Sequence, residues 1–182
     1  DLVFLFDGSE GSSDGPRSLT AERYYARLAQ RILSFLTVMT ASGRLYPVDT
    51  RLRPNGRAGS LVSSMDVFAA YQRESAWTWE QQALIRARPV AGNVLTGEHF
   101  NRLRQDALER PRNSDSLRAD LVDMRTRMVQ EFGGAKLMNA EPKHQPGGLV
   151  DIGFIVQFGV LDCASRHPGR FNAWCDVDSF DE

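Results

Sequence analysis

The chain has 182 residues, of which 42% are hydrophobic and 25% charged, and this composition is typical of a globular protein with one domain or two small ones. Its 22 basic and 23 acidic residues give a formal net charge of −1, which excludes a global positive field that would attract nucleic acid or a membrane surface. The two cysteines lack metal-ligand spacing, no apolar run is long enough to cross a membrane and no signal peptide opens the sequence, so we expect a cytoplasmic protein without nucleic-acid or membrane partners.

The first part of the chain predicts a strand, a helix and a second strand. Residues 2–6 form a short apolar run between two aspartates, which is typical of a buried strand. Ser18 or Thr20 can cap a helix whose apolar residues recur at spacings of three and four, and Ser42-Gly43 ends it. Residues 46–54 then predict the second strand.

This second predicted strand sorts its residues by chemistry, because successive side chains of a strand point to opposite faces. Asp49, Arg51 and Arg53 fall on one face, and the residues between them offer apolar groups to a core. A carboxylate followed by two guanidiniums suits a metal ion with a polyphosphate across it, since Mg²⁺ prefers oxygen ligands and Arg matches phosphate oxygens with a planar fork of donors. The alternative is an edge strand whose acid and bases pair with each other in solvent.

From residue 64 onward the sequence predicts helices only. One helical pattern begins at Ser64 and continues, with room for a break, to Arg88. A short helix is expected around residues 99–108, and Ser114 is expected to cap a longer one. Residues 149–164 are apolar nearly all round, which predicts a largely buried helix.

These elements predict an α+β protein, with an α/β head at residues 1–95 and an all-helical part at residues 96–182. Both ends look cut, because the sequence opens inside a predicted strand without a preceding Met and closes on an acidic, aperiodic tail. We therefore expect an excerpt of a longer polypeptide, in which the head is truncated at its N-terminus and the helical part at its C-terminus.

A strand, a helix and a second strand with an acid on each strand form the skeleton of a nucleotidyltransferase head, where carboxylates hold two metal ions for an in-line displacement at phosphorus. The resemblance becomes specific in four stretches that occur in order: DLVFLFD, YPVDTRLRPNGRAGSLVSS, YQRESAWTWEQQALIRARPVAG and GGLVDIGFIVQ. Together they resemble the bacterial bifunctional glutamine synthetase adenylyltransferase/adenylyl-removing enzymes over residues 1–161. The resemblance implies a nucleotidyltransferase-type small mixed sheet with helices, followed by a helical segment.

Members of that family carry two related nucleotidyltransferase domains. One attaches AMP from ATP to a tyrosine of glutamine synthetase, and the other removes it by phosphorolysis. Residues 74–84, ESAWTWEQQAL, and the Ser63-Ser64 pair resemble the C-terminal, AMP-attaching copy. The two tryptophans of this segment, Trp77 and Trp79, predict core positions rather than a platform for an adenine ring.

The family's metal site supplies two candidates in this chain. Asp1 matches the second aspartate of the family's Gly-Ser-x-x-Asp-x-Asp opening, whose turn and first aspartate would lie upstream. Asp49 matches the third carboxylate. The resemblance therefore implies that Asp1 and Asp49 are catalytic and hold Mg²⁺.

Four arginines are candidates for the triphosphate of ATP. Arg51 and Arg53 share the predicted face of Asp49, and Arg86 and Arg88 follow in the helical pattern. Arg86 and Arg88 have an alternative as partners of Glu80 or Glu74 in ion pairs.

The resemblance implies glutamine synthetase as a partner, and a P-II type signalling protein as a further one. Two other readings stay open: the adenylyl-removing domain, with inorganic phosphate as acceptor, and a non-catalytic module that only binds partners. The chain departs from the family at Gly153, where Glu is usual, and at Gln145, where an acid is common, and the match fades after Phe171.

Overall fold

The structure is a computed structural model that describes residues 1–8, 10–44, 46–132 and 142–170. Within these ranges the chain forms six α-helices and a two-stranded parallel sheet, which confirms the α+β class. Its residues group into two compact units, one made of residues 1–76 and 93–96, the other of residues 77–92 and those from 97 onward. None of the helices in the described ranges is long and apolar enough to cross a membrane.

The first unit is built around two short parallel strands. β1 (Phe4–Phe6) confirms the strand predicted at residues 2–6, and it pairs with β2 (Val62–Ser64) so that Phe4 lies opposite Val62. A parallel pair needs a crossover connection, and α1 (Ala21–Thr37) lies in it and packs on β2. α2 (Met65–Glu74) follows β2 directly and contacts both strands.

The core of this unit is formed where the helices cover the sheet. Met65 and Phe68 of α2 are 1% and 2% exposed, and Val62 and Ala29 are buried with them. Spacings of three and four place the buried residues of α2 on one face of the helix, and the Ser64 hydroxyl caps its N-terminus by accepting a hydrogen bond from the Val67 N–H at 3.3 Å. This packing fixes β2 between two helices.

α1 also carries large apolar side chains that stay exposed. Thr20, one of the two residues predicted to cap this helix, is the N-cap residue of α1. The Thr20 side chain makes no capping hydrogen bond. Burial of the helix within the described ranges centres on Ala29. We call Leu28, Ile32, Phe35 and Leu36 the exposed apolar set of α1; Phe35 is 82% exposed.

The strand predicted at residues 46–54 does not form. Residues 46–50 belong to no helix or strand and the chain turns from Arg51 onward, and the observed sheet is parallel rather than mixed within the described ranges. The Asp49 carboxylate accepts a hydrogen bond from the backbone N–H of Arg51, a local bond that competes with a strand ladder, and Pro47 and Pro54 have no N–H to donate. One ladder-like bond remains, from the Leu2 N–H to the Asp49 carbonyl at 2.8 Å.

The second unit contains the remaining helices, and the predicted pattern from Ser64 to Arg88 is broken into α2 and α3. The bounds are Thr78–Leu84 for α3, Val94–Leu108 for α4, Ser114–Phe132 for α5 and Leu149–Cys163 for α6. α4 starts earlier than predicted, and its first turn groups with the first unit. The cap of α5 is Asn113 rather than the predicted Ser114, because the Asn113 side chain accepts from the Ser116 N–H at 2.9 Å.

One buried and one half-buried arginine hold helix ends in this unit. Arg104 is 4% exposed and donates to the carbonyls of Leu84 and Ile85 at 2.7 and 2.8 Å, at the end of α3. Arg112 donates to the carbonyls of Ala107 and Leu108 at the end of α4. Burial lowers the pKa of Arg112 to about 10, so it remains charged at neutral pH and complements the negative end of the helix.

The prediction that residues 149–164 form a largely buried helix is wrong for much of α6. Val160 and Leu161 are buried, but Leu149, Ile152 and Ile155 are 65%, 55% and 72% exposed. The C-terminal part is covered by its own unit, whereas the exposed residues have no described segment across them. A helix that is apolar on all sides is predicted to be buried, but the pattern does not identify the segment that packs against it.

The prediction of core positions for the two tryptophans is also wrong. Trp77 and Trp79 are 69% and 42% exposed, at the start of α3. The Glu80 carboxylate accepts from the Trp77 N–H at 2.9 Å, which fixes the helix start without burying the Trp77 ring. Glu80 itself is the buried member of this turn, at 4% exposed.

Candidate functional site

The two predicted metal ligands lie on neighbouring backbone segments of the first unit. Asp1 lies three residues before the start of β1, and the next residue, Leu2, donates its backbone N–H to the carbonyl of Asp49 at 2.8 Å. Asp1 is exposed, and the Asp49 side chain retains 32% exposure. The structure therefore brings the backbones of these two aspartates together at the entrance to β1.

Arg51 is the direct partner of the Asp49 carboxylate. Its Nε donates to one carboxylate oxygen at 2.6 Å, its backbone N–H donates to the other at 2.8 Å, and the two side chains form an ion pair. The side-chain hydrogen bond from Arg51 and then its backbone hydrogen bond lower the pKa of Asp49, so the carboxyl is ionised at neutral pH. The Arg51 side chain is 60% exposed, so this pair is held weakly.

Arg53 is directed into its own loop. Its Nη1 donates to the carbonyl and the hydroxyl of Thr50 at 2.7 and 2.9 Å, and its Nε donates to the carbonyl of Gly59 at 3.3 Å. The side chain is half-buried. Sequence reasoning missed Thr50 and Gly59 as partners, because a predicted strand would have pointed Thr50 to the opposite face.

Arg86 and Arg88 are exposed residues of the second unit, just after α3. The Arg86 N–H continues the last turn of α3 by donating to the Ala83 carbonyl at 3.3 Å. Beneath this turn Arg104 binds the carbonyls of Leu84 and Ile85. Their predicted part in nucleotide binding stays a prediction.

The donor chemistry of the first unit fits a divalent cation that is also bound by phosphates. Among the described residues there is no group of three or more His, Cys, Asp and Glu side chains that could hold a metal ion by itself. Asp1 and Asp49 nevertheless provide two carboxylates on adjoining backbone segments, and the lowered pKa of Asp49 keeps it anionic. Mg²⁺ is commonly bound by one or two carboxylates together with substrate phosphates and water, so two carboxylates suffice for a site of this kind.

A second polar cluster lies in the turn that leads into α6. The Asp151 carboxylate accepts from the Arg125 side chain and, at 2.6 Å, from the Gly147 N–H. Arg125 also donates to the carbonyl of His144 at 2.9 Å. The side-chain hydrogen bond from Arg125 and then the backbone bond from Gly147 lower the pKa of Asp151. Every strong donor in this cluster has its acceptor within the cluster, so it is a structural clamp between α5 and the start of α6.

Comparisons with known proteins give a consistent match. Residues 1–103 match the family model described as glutamate-ammonia ligase adenylyltransferase. The chain is 46% identical over 179 residues to the bifunctional glutamine synthetase adenylyltransferase/adenylyl-removing enzyme of Xanthomonas axonopodis pv. citri, and 47% identical over 179 residues to that of Methylococcus capsulatus. Both matches cover 97% of this chain and 19% of the relative. The similarly named enzyme of Pseudomonas aeruginosa is 44% identical over 181 residues, which cover 92% of this chain and 18% of the relative. The chain thus spans about a fifth of the length of the curated relatives it matches.

Proposed function

The chain belongs to the glutamate-ammonia ligase adenylyltransferase family, and from this premise we propose that its first unit is part of a nucleotidyltransferase head that transfers AMP from ATP to a tyrosine of glutamine synthetase. The observation that carries the proposal is the hydrogen bond from Leu2 to Asp49, because it holds the two candidate carboxylates on adjoining segments. Glutamine synthetase is then the protein partner, with a P-II type protein as a regulator. Since the reaction consumes ATP, we expect it in the cytoplasm.

The reaction is a displacement at the α-phosphorus of ATP. The tyrosine oxygen forms the new P–O bond, the bond to the β-phosphate bridging oxygen breaks, pyrophosphate leaves with that electron pair, and the tyrosine proton is lost. Tyrosine has a pKa of about 10 and is a poor nucleophile at neutral pH. Asp1 and Asp49 would hold Mg²⁺, which when bound stabilises the attacking and leaving oxygens.

Arg51 has the properties of a residue that meets the triphosphate. It is exposed, it already lies against the carboxylate that would bind the metal, and its pair with Asp49 is weak enough to exchange. A guanidinium that turns toward the phosphates neutralises charge that builds on pyrophosphate and frees the Asp49 Oδ2, while Oδ1 keeps its hydrogen bond from the Arg51 backbone N–H. Arg86 and Arg88 remain further candidates for the same role.

A second candidate function is removal of AMP by phosphorolysis, since the relatives are named for both activities and the chain spans only one part of them. The same carboxylates would serve, with inorganic phosphate in place of the tyrosine oxygen as acceptor. The segment at residues 74–84 favours the attaching activity.

The test uses the natural full-length polypeptide that contains this sequence, with Asp49→Asn and, as a matched control, Asp106→Asn, which changes an exposed aspartate on α4. Transfer of labelled AMP from ATP to purified glutamine synthetase is measured beside release of ADP from adenylylated glutamine synthetase and phosphate. Loss of transfer in Asp49→Asn alone, with release intact, supports the proposal. Loss of release with transfer intact assigns the removing activity to this part of the polypeptide, whereas full transfer together with full release in Asp49→Asn at saturating Mg²⁺ refutes the metal role.

A further inference from the structure

Arg51 and Arg53 are two residues apart, yet the structure gives them different surroundings. Arg51 is exposed and contacts Asp49. Arg53 is half-buried, and two of its nitrogens donate to three acceptors that belong to Thr50 and Gly59. Moving Arg53 toward a phosphate would leave those three acceptors without their donor, whereas turning the exposed Arg51 side chain would give up its ion pair with Asp49.

The loop that Arg53 closes has little freedom of its own. Asn55 and Gly56 both have left-handed backbone conformations, with φ of 60° and 53°. A Cβ on Gly59 would lie 1.9 Å from the Pro54 carbonyl oxygen, so the two ends of this turn touch. The Gly56 N–H adds a bond to the Arg53 carbonyl at 2.9 Å. The Arg53 side chain is therefore anchored on a turn of fixed shape that leads into β2.

This anchor reaches the candidate site through one residue. Thr50, which accepts from Arg53 through its carbonyl and its hydroxyl, follows Asp49 directly. On its other side Asp49 is held by the hydrogen bond from Leu2 to its carbonyl. The backbone of Asp49 is thus held on one side by Leu2, which precedes β1, and on the other, through Thr50 and Arg53, by the turn before β2.

We propose that Arg53 is a positioning residue, which holds the Asp49 carboxylate in place for a divalent cation through Thr50, whereas Arg51 is the arginine that exchanges between Asp49 and the triphosphate. This inference rests on the proposed function. It separates two residues that sequence patterning placed in one role, and it predicts opposite effects of their loss on metal binding. Removing Arg51 takes away a cation that competes for Asp49, and removing Arg53 loosens the carboxylate itself.

The first experiment measures Mn²⁺ binding to the nucleotide-free full-length polypeptide, with the free ion quantified by electron paramagnetic resonance. The binding sites that disappear in Asp49→Asn are assigned to the candidate site. We expect Arg51→Gln to tighten Mn²⁺ binding by about twofold to fivefold, the range of an exposed ion pair. We expect Arg53→Gln to weaken it by roughly tenfold, because two or more partly buried hydrogen bonds are lost. Arg57→Gln, an exposed arginine of the same turn, is the matched control and should leave the affinity unchanged.

The second experiment uses Thr50→Val, which removes the hydroxyl acceptor of Arg53 and keeps the side-chain shape. It should weaken Mn²⁺ binding less than Arg53→Gln does, and the effect of Thr50→Val should shrink once Arg53 is already Gln, since the two act through one contact. This milder variant keeps the inference testable if Arg53→Gln does not fold. In transfer assays the Arg53 and Thr50 variants should lower kcat, whereas Arg51→Gln should mainly raise the KM for ATP.

The outcomes separate this inference from the proposed function. If Asp49→Asn binds as much Mn²⁺ as the unchanged protein, the metal assignment itself is wrong. If Asp49→Asn loses a site but Arg53→Gln and Thr50→Val bind Mn²⁺ normally, only the positioning role of Arg53 is wrong. A raised KM for ATP in Arg53→Gln, with Mn²⁺ affinity and kcat unchanged, would make Arg53 a phosphate ligand instead.

Discussion

Arg125 on α5 and Asp151 in the first turn of α6 form an ion pair that also holds the turn before α6. The Asp151 carboxylate accepts from the Gly147 N–H at 2.6 Å, and Arg125 donates to the His144 carbonyl at 2.9 Å. The start of α6 therefore depends on one carboxylate being ionised. Because Gly148 approaches the Pro142 carbonyl so closely that a Cβ would lie 2.3 Å from it, the turn has little room to rearrange when that carboxylate is lost.

The pH dependence of this clamp follows from the lowered pKa of Asp151. A carboxyl whose pKa is lower in the folded state than in the unfolded state, where it is about 3.9, contributes stability above that pH, and the contribution is lost as the pH falls through the folded value. We expect Asp151→Asn to speed amide hydrogen exchange in residues 142–151 at pH 6, and the difference from the unchanged protein to shrink below about pH 4. A difference that is as large at pH 2 as at pH 6 would contradict a role for the charge.

Two phenylalanines test the assignment of the first unit's core. Phe68 is 2% exposed and Phe35 is 82% exposed. Phe68→Ala should lower the free energy of unfolding by about 3–5 kcal/mol, whereas Phe35→Ala should change it by less than about 0.5 kcal/mol. Urea unfolding followed by circular dichroism measures both. A similar loss of unfolding free energy in the two variants would mean that Phe35 is buried in solution.

Gly59→Ala tests whether the turn before β2 has the close contact seen here. The new Cβ would lie 1.9 Å from the Pro54 carbonyl oxygen, so the backbone must move, at a cost of about 1–3 kcal/mol. Gly15→Ala is the matched control, because a Cβ there meets nothing within 4 Å. Thermal unfolding should show a lower Tm for Gly59→Ala only. An unchanged Tm in both variants would contradict the closed turn on which Arg53 is anchored.

Gly153→Ala should stabilise the chain. Gly153 lies inside α6, where a Cβ would meet nothing within 4 Å, and Gly costs about 1 kcal/mol relative to Ala in a helix interior. We expect a gain of about 0.5–1 kcal/mol in the free energy of unfolding. Denaturant titration of Gly153→Ala and of the matched variant Gly159→Ala, which also has open space, provides the check. A loss of stability at Gly153 alone would show that a partner approaches the helix there.

Sequence reasoning succeeded where one local property decides the structure. The apolar run at residues 2–6, the cap at Ser64 and the spacing along α2 each specify an element by themselves, and the structure contains a strand or helix at each. The α+β class follows from their order. Family membership also came from the sequence, since the four matching stretches carry it directly.

The wrong predictions share a physical cause. A sequence pattern shows which structure a segment prefers, but not which hydrogen-bond or packing partner that segment will find. At residues 46–54 the alternation favoured a strand, but the Asp49 carboxylate captured the Arg51 N–H and the chain turned. In α6 the apolar pattern predicted burial on all sides. Within the described ranges only the C-terminal part of the helix is buried. The different roles inferred for Arg51 and Arg53 could not be predicted from the sequence, because both residues are arginines. The roles depend on which acceptors the turn before β2 places near each side chain.

The exposed apolar set of α1 and the exposed residues of α6 affect how copies of this chain interact with one another in solution. With a formal net charge of −1, Coulomb repulsion between copies is weak, and these apolar surfaces attract one another. We therefore expect the osmotic second virial coefficient of the 182-residue chain to be negative near neutral pH. Apparent binding constants measured with the isolated chain will drift with its concentration, so extrapolation to infinite dilution belongs in every titration.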